Sequence, residues 1–304
     1  MLRLTAILIM ITAGALAQKA DTLTVVFGGD VLFDRGVRKV AETQGYEGLM
    51  NGVKSVLQNC DAAVVNLECP LTMRRRTVNK KYIFRADTLA ARVLRAAGVT
   101  HAAMANNHSM DQGLVGLSDT YNSLRAAGIV PMGYAEHPDS LMCPTIIRRG
   151  SASIAVFNAV TVPIENWFAL PSPGKPAIYY TSGNSLAAAV ARYHTENPTV
   201  PIVVFIHWGF EFRNQTSMQQ QMDAAALVRA GASAIVGQHP HVVQPQVMIG
   251  DVPVWYSVGN LVFDQKPAEC NKAQLVKLRF TTDRLIDYQS VAVSIRECYP
   301  IIED

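Results

Sequence analysis

Five apolar, largely β-branched runs in this chain each give way to a residue that can ligate a metal. Leu23–Phe27 leads through Gly28-Gly29 to Asp30, Ala62–Val65 through Asn66-Leu67 to Glu68, and Val99–Met104 through Ala105-Asn106 to Asn107. Val200–Ile206 ends at His207, and Ala234–Val236 leads through Gly237-Gln238 to His239 and His241. Ala- and Leu-rich stretches of helical character lie between them, at 53–57, 89–97, 114–127, 186–193 and 218–230, and Gly98 and Gly128 act as stop signals. Strands alternating with helices predict an α/β chain, and from Val242 onward the pattern turns β-rich. In open α/β sheets ligands gather at the carboxyl ends of strands. Five coincidences of this kind are improbable in a purely structural chain.

The 304 residues are 49% hydrophobic and only 17% charged, too apolar for a disordered chain and sufficient for a sizeable core. No internal repeat, low-complexity segment or linker divides them, so residues 22–300 read as one domain. A net charge of +3 with 24 acids present argues against a nucleic-acid partner.

The first residues have another use. Arg3, the apolar run Leu4–Leu16 and the small-residue end Ala15-Leu16-Ala17 describe a secretory signal over residues 1–17. The run is shorter than the roughly 20 residues of a membrane-spanning helix, although an uncleaved anchor is the alternative. No cysteine lies near the cut, so no lipobox is present, and the mature chain is expected in the periplasm or cell envelope. That compartment permits disulfides. The five cysteines are odd in number and show no CxxC spacing, so no pairing follows from them.

His239-Pro240-His241 places two imidazoles two residues apart across a stiff turn, and His207 adds a third. Asp30 and Glu68 contribute anionic oxygens and Asn107 a neutral one. Mixed imidazole and carboxylate ligation suits zinc, manganese or iron better than calcium. Six candidates exceed one tetrahedral shell but suffice for two ions sharing a carboxylate. Such a pair binds both oxygens of a phosphoryl transfer, and His108 is placed to protonate the leaving oxygen. Read alone, each piece has a plainer use. Gly29-Asp30 is also a turn, and Asn106-Asn107-His108 also suits the cap of the helix beginning near Asp111. His101, His137 and His194 lack such company and read as ordinary histidines.

Together, Gly29-Asp30, Asn66-Leu67-Glu68-Cys69-Pro70-Leu71-Thr72, Ala105-Asn106-Asn107-His108 with Asp111 and Gly113, His207-Trp208-Gly209-Phe210-Glu211 and Gly237 through Pro245 resemble the CapA family. This is the poly-gamma-glutamate capsule biosynthesis family of the calcineurin-like metallophosphoesterase superfamily. Ser257-Val258-Gly259-Asn260 and Phe263-Asp264 resemble its closing motif. The resemblance runs from about Thr24 to Asp264. It implies a four-layer α/β/β/α sandwich of the metallophosphoesterase type with two divalent ions. Asp30, Asn107, His207, His239 and His241 would be ligands, Glu68 the bridging carboxylate and His108 the catalytic acid. Asn66, Asn106 and Asp111 would support them. Glu211 would hold His207 or contact substrate. Leu32 stands where the wider superfamily has a histidine ligand, which implies a poorer shell for one ion. Gln238 stands where relatives often have another histidine.

Arg74, Arg75, Arg76, Lys80, Lys81 and Arg85 crowd six cations into twelve residues without an acid. The run starts two residues after Thr72 and is a solvated loop or, with Arg85 as the candidate contact, a surface for an anionic small molecule or polymer. The expected function is an exported metal-dependent phosphoesterase of capsule or envelope polymer synthesis. The alternatives are a non-hydrolytic component of a membrane-bound synthesis or export complex, and a gamma-glutamyl amide hydrolase.

Overall fold

A computed structural model describes residues 21–76, 79–137, 140–163 and 174–303. The segment expected as a signal, residues 1–17, and most of the Pro163–Pro176 loop lie outside the described residues. The chain opens with β1 (Leu23–Val31), α1 (Arg35–Gln44), α2 (Asn51–Gln58), β2 (Ala62–Leu67), α3 (Ala90–Ala97), β3 (His101–Ala103), α4 (Gly113–Ala126) and β4 (Val130–Met132). It continues through β5 (Tyr134–Ala135), β6 (Thr145–Arg149), β7 (Ala152–Val160), β8 (Ala177–Ile178), α5 (Gly183–Glu196) and β9 (Ile202–His207). After α6 (Met218–Arg229) come β10 (Ala234–Gln238), β11 (Gln246–Ile249), β12 (Val252–Trp255), β13 (Asn260–Val262), β14 (Lys272–Phe280), β15 (Leu285–Arg296) and β16 (Tyr299–Ile302).

Two large sheets form, and β5 and β8 pair separately as a small antiparallel one. The first large sheet has the order β16-β15-β14-β1-β2-β3-β4, with β13 also paired to β1, and the second β11-β12-β10-β9-β7-β6. β1 to β4 are mutually parallel, as are β7, β9, β10 and β12, so the strands that carry the predicted ligands point the same way within each sheet. The return of β14, β15 and β16 to the first sheet explains the β-rich end of the sequence.

Side chains alternate between two cores because successive strand residues face opposite sides. Val25 and Phe27 of β1, Val64 of β2, Val203 and Phe205 of β9, and Val236 of β10 fill the space between the sheets. The rings of Phe27 and Phe205 meet there at 5.4 Å. Their neighbours Val26, Ala63, Val65, Val204 and Ile235 pack with the helices instead. α3 shows the sequence logic: Ala90, Ala91, Val93, Leu94 and Ala97 are buried on one stripe while Arg92 and Arg95 face water. Gly98 ends it in the left-handed conformation, φ 107°, its N–H closing on the last carbonyls. On the other side Phe157 of β7 meets Tyr193 of α5 edge-on at 5.9 Å. The layers are therefore helix, sheet, sheet, helix, the four-layer arrangement expected.

Some elements differ from the sequence reading. The strand expected over 99–104 shrinks to His101–Ala103, while β6, the long buried β7 and the largely exposed α1 had no counterpart in it. α4 starts at Gly113 without a side-chain cap, so the Asn-Asn-His segment is not the cap it resembles. Among the described residues no helix is long and apolar enough to cross a membrane.

Candidate metal centre

Gly29 brings the centre together. A Cβ there would lie 1.8 Å from Gly259 O, so only glycine lets the two backbones touch. Asp30 N donates to Gly259 O at 3.1 Å, and Asp30 pairs in register with Asn260 of β13. Asp30 lies on β1 and Glu68 just past β2, at the end of the first sheet. His207 closes β9 and His239 follows β10, at the end of the second. His239 N bridges the sheets by donating to Asp30 Oδ2 at 3.2 Å. His239 and His241 adopt positive φ, 96° and 58°, around Pro240. Such backbone strain costs on the order of 1–3 kcal/mol per residue and is characteristic of functional turns.

Ligand atoms of Glu68, His207 and His239 form one group lying within 4.8 Å of one another, and those of Asp30, Glu68 and His241 form another. Glu68 belongs to both. Its Oε1 lies 3.9 Å from His207 Nε2 and 3.6 Å from His241 Nε2. Asn107 Oδ1 lies 2.9 Å from His207 Nε2, beside the first group. All six residues expected as ligands therefore meet.

The chemistry of the donor set fits divalent cations. Glu68 Oε1 is buried with no hydrogen-bond partner among the described residues, and an unsatisfied buried acceptor is costly. Burial, then the charges of Asp30 and Glu211, raise the Glu68 carboxyl well above its ordinary range. Burial and the neighbouring histidines hold His207 and His239 well below theirs, so both imidazoles are neutral with a lone pair to give. A cation that accepts those lone pairs and the Glu68 oxygen resolves the arrangement.

Asn66, Asn106 and His108 with Asp111 lie beside these groups. Asn66 donates from Nδ2 to Asp30 Oδ1 at 2.8 Å and lies 3.4 Å from both Glu68 Oε2 and His207 Nδ1. Asn106 Nδ2 donates to Asn66 Oδ1 at 3.0 Å and to Leu67 O at 2.8 Å, locking the two strand ends together. His108 Nδ1 lies 2.7 Å from Asp111 Oδ2, and Phe84 stacks on its ring at 4.0 Å. Burial lowers the pKa of that imidazole while Asp111 opposes the shift.

One expectation narrows. Glu211 makes no hydrogen bond to His207 among the described residues; it is exposed, and its charge acts on Glu68, which leaves substrate contact as its other expected role. Arg85, expected to support the site or meet substrate, donates from its backbone N–H to Asp34 Oδ2 at 2.7 Å, in a neighbouring arginine cluster. Leu32 is fully buried in the core, so the position of the missing ligand is filled by packing. Gln238 is also fully buried, paired in register with His207. His101 is buried on β3 and is in neither ligand group: its Nδ1 lies 2.8 Å from Thr100 Oγ1, and burial pushes its pKa down to about 4. All five cysteines are free thiols.

Two residues were missed. Lys80 Nζ, in a side chain only 3% exposed, donates to Asn107 O at 2.7 Å and Asp111 Oδ1 at 2.9 Å and lies 3.3 Å from His108 Nδ1. Its signal was diluted among six cations. Asn260 Oδ1 lies 2.9 Å from His241 Nδ1 and orients that ring, a role its place in the closing motif could have suggested.

Fold and centre together define a four-layer α/β protein with a buried histidine–carboxylate site of metal-ligand type. Residues 24–265 match the family described as Bacterial capsule synthesis protein PGA_cap, and all six candidate ligands fall within that span. The chain belongs to this family. It is 27% identical over 289 residues to the PGA biosynthesis protein CapA of Bacillus subtilis (strain 168), covering 92% of this chain and 73% of that one. It is also 27% identical to a "Probable polyglutamine synthesis accessory protein" of Mycobacterium tuberculosis, over 82% of this chain and 76% of that one. Among solved structures, the Thermus thermophilus sulfate thiohydrolase SoxB in complex with glycerol aligns at TM-score 0.48 and 14% identity, over 87% of this chain and 45% of that chain.

Proposed function

We propose that this chain is an exported metal-dependent hydrolase of capsule polyglutamate or envelope polymer synthesis, acting on a phosphoester at a centre of two divalent ions. One observation carries the reading: two groups of buried ligand atoms share Glu68, beside a His108–Asp111 pair. Asp30, Glu68, Asn107, His207, His239 and His241 would hold the ions, and nitrogen–oxygen donors favour manganese, zinc or iron. Bound there, divalent ions polarise phosphoryl oxygens and lower the pKa of water.

The chain's own residues supply the rest. Asp111 accepts from His108 Nδ1–H, which fixes the tautomer and leaves Nε2 to carry the proton for the leaving oxygen. Lys80 donates to the other Asp111 oxygen, and its donation to Asn107 O ties the Asn-Asn-His turn in place. Asn66 orients Asp30, and the burial of the centre strengthens every charge interaction within it. Residues 1–17 direct export.

A second reading is a non-hydrolytic component of a membrane-bound synthesis complex. It is favoured by the accessory role in the mycobacterial relative's name and by Leu32, which leaves the Asp30 group with three donors. The test is to purify the chain, count bound metal and assay phosphomonoester, phosphodiester and gamma-glutamyl substrates beside Asp30→Ala and His108→Ala. Phosphoester turnover lost in both variants is expected. Turnover that survives both sinks the catalytic assignment, gamma-glutamyl turnover alone moves it to an amide, and stoichiometric metal without turnover favours the second reading. Export is tested by fractionation, with a mature amino terminus at Gln18 expected.

A further inference from the structure

Asp34, Arg38, Arg75, Arg76, Arg85 and Gln112 line a cavity of about 270 Å³ beside the centre. Four guanidiniums share it with one carboxylate, and that carboxylate is already engaged. Asp34 accepts from Arg35 N at 2.8 Å and Arg85 N at 2.7 Å and pairs with Arg38 at 2.9 Å. Arg75 and Arg76 have no ion pair among the described residues. Among the described residues the Arg85 guanidinium reaches only the carbonyls of Thr72 and Met73, at 3.4 and 3.3 Å. Burial, then the charges of Arg38 and Arg75, lower its pKa, with Asp34 and Asp87 opposing the shift.

The cavity shares its wall with the proposed catalytic side. Arg85 follows Phe84, whose ring stacks on His108, and Gln112 follows Asp111. Gln112 ties the wall together, donating to Phe84 O at 3.0 Å and accepting from Arg76 N at 2.8 Å. A ligand filling both places must carry several anionic groups along its length.

We propose that this cavity is a carboxylate-binding subsite that grips the free α-carboxylates of a gamma-linked polyglutamate chain lying across the centre. Guanidinium forks match carboxylates two bonds at a time, which lysines cannot do. The identity of the polymer rests on the function proposed above; the subsite itself does not depend on turnover.

The full chain is titrated with a fluorescent gamma-linked glutamate oligomer at several salt concentrations, as wild type, as Arg75→Gln/Arg76→Gln, as Arg74→Gln and as Asp30→Ala. Arg75 and Arg76 are the choice because neither guanidinium holds the fold, so the melting temperature is expected to stay unchanged. Loss of two charge-assisted contacts is expected to raise Kd about tenfold or more and flatten its salt dependence. Arg74, which pairs with Asp119 at 3.5 Å outside the cavity, serves as the control and should leave Kd within about twofold. Equal Kd values in wild type and the double variant overturn the subsite, as does a wild type that does not bind the oligomer. Displacement by inorganic phosphate at lower concentration than by free oligomer overturns the carboxylate assignment. An Asp30→Ala variant that has lost turnover but keeps the tenfold arginine effect supports the subsite, and absent turnover with that effect intact counts against the hydrolase alone.

Discussion

The ammonium of Lys80 is inside the protein because Asp111 and the Asn107 carbonyl wait for it, and Asp111 is ordered in turn by Phe84 N at 2.7 Å and by His108. Removing one partner of a buried pair leaves the other charge stranded, which costs about 3–5 kcal/mol. Asp111→Asn is therefore expected to destabilise by about 3 kcal/mol, while Lys80→Met/Asp111→Asn regains at least about 1 kcal/mol of that loss. Urea unfolding of the two singles and the double measures it, and strictly additive costs would contradict the pairing. At this scale the sequence was legible in part. Asp30, Glu68, Asn107, His207, His239 and His241 announced themselves as strand-end ligand types. Lys80 did not, because nothing in a run of six cations marks which one finds a buried carboxylate across 31 residues of chain.

Strand ends are the elements that make the centre, and their close approach depends on small residues. β1 and β13 meet because Gly29 has no side chain to strike Gly259 O. Gly29→Ala is expected to cost about 3 kcal/mol, since the clash is with backbone that cannot swing away. Gly45→Ala, at φ 84° in open space, carries only the strain of its conformation, about 1–2 kcal/mol. Thermal melts of both variants compare them, and equal losses would show that the contact is not what requires glycine. Elements legible in the sequence were those with a simple pattern, such as α3 with its alanine and leucine stripe. β7 escaped because its buried run includes Ser153 and Asn158, and α1 because in a polar helix only Val37 and Ala41 are fully buried, with Val40 partly so.

Across the whole molecule, the first sheet supplies Asp30 and Glu68 and the second His207, His239 and His241, so ions held by them would clamp the sheets together. Ligand at 100 times its Kd stabilises the native state by about 2.7 kcal/mol, and in a chain of this size each 1 kcal/mol raises Tm by roughly 2 °C. Adding manganese or zinc to chelator-treated protein is expected to raise Tm by several degrees. Because Glu68 belongs to both groups and His241 to one, Glu68→Ala should lose both ions and His241→Ala one. Metal analysis after gel filtration reads the difference, and a Glu68→Ala protein that retains the wild-type count would contradict the sharing.

Sequence alone determined the class of fold, the order of the ligand-bearing strands and the residue types of the centre. These follow from local periodicity and from chemistry that a residue carries wherever it lies. Tertiary structure alone decided that Glu68 stands between two groups, that Glu211 faces solvent and not His207, and that the basic segment divides between a buried lysine and an arginine-lined cavity. Each of these depends on distances between residues far apart in the chain, set by the packing of two sheets, and no local pattern encodes them.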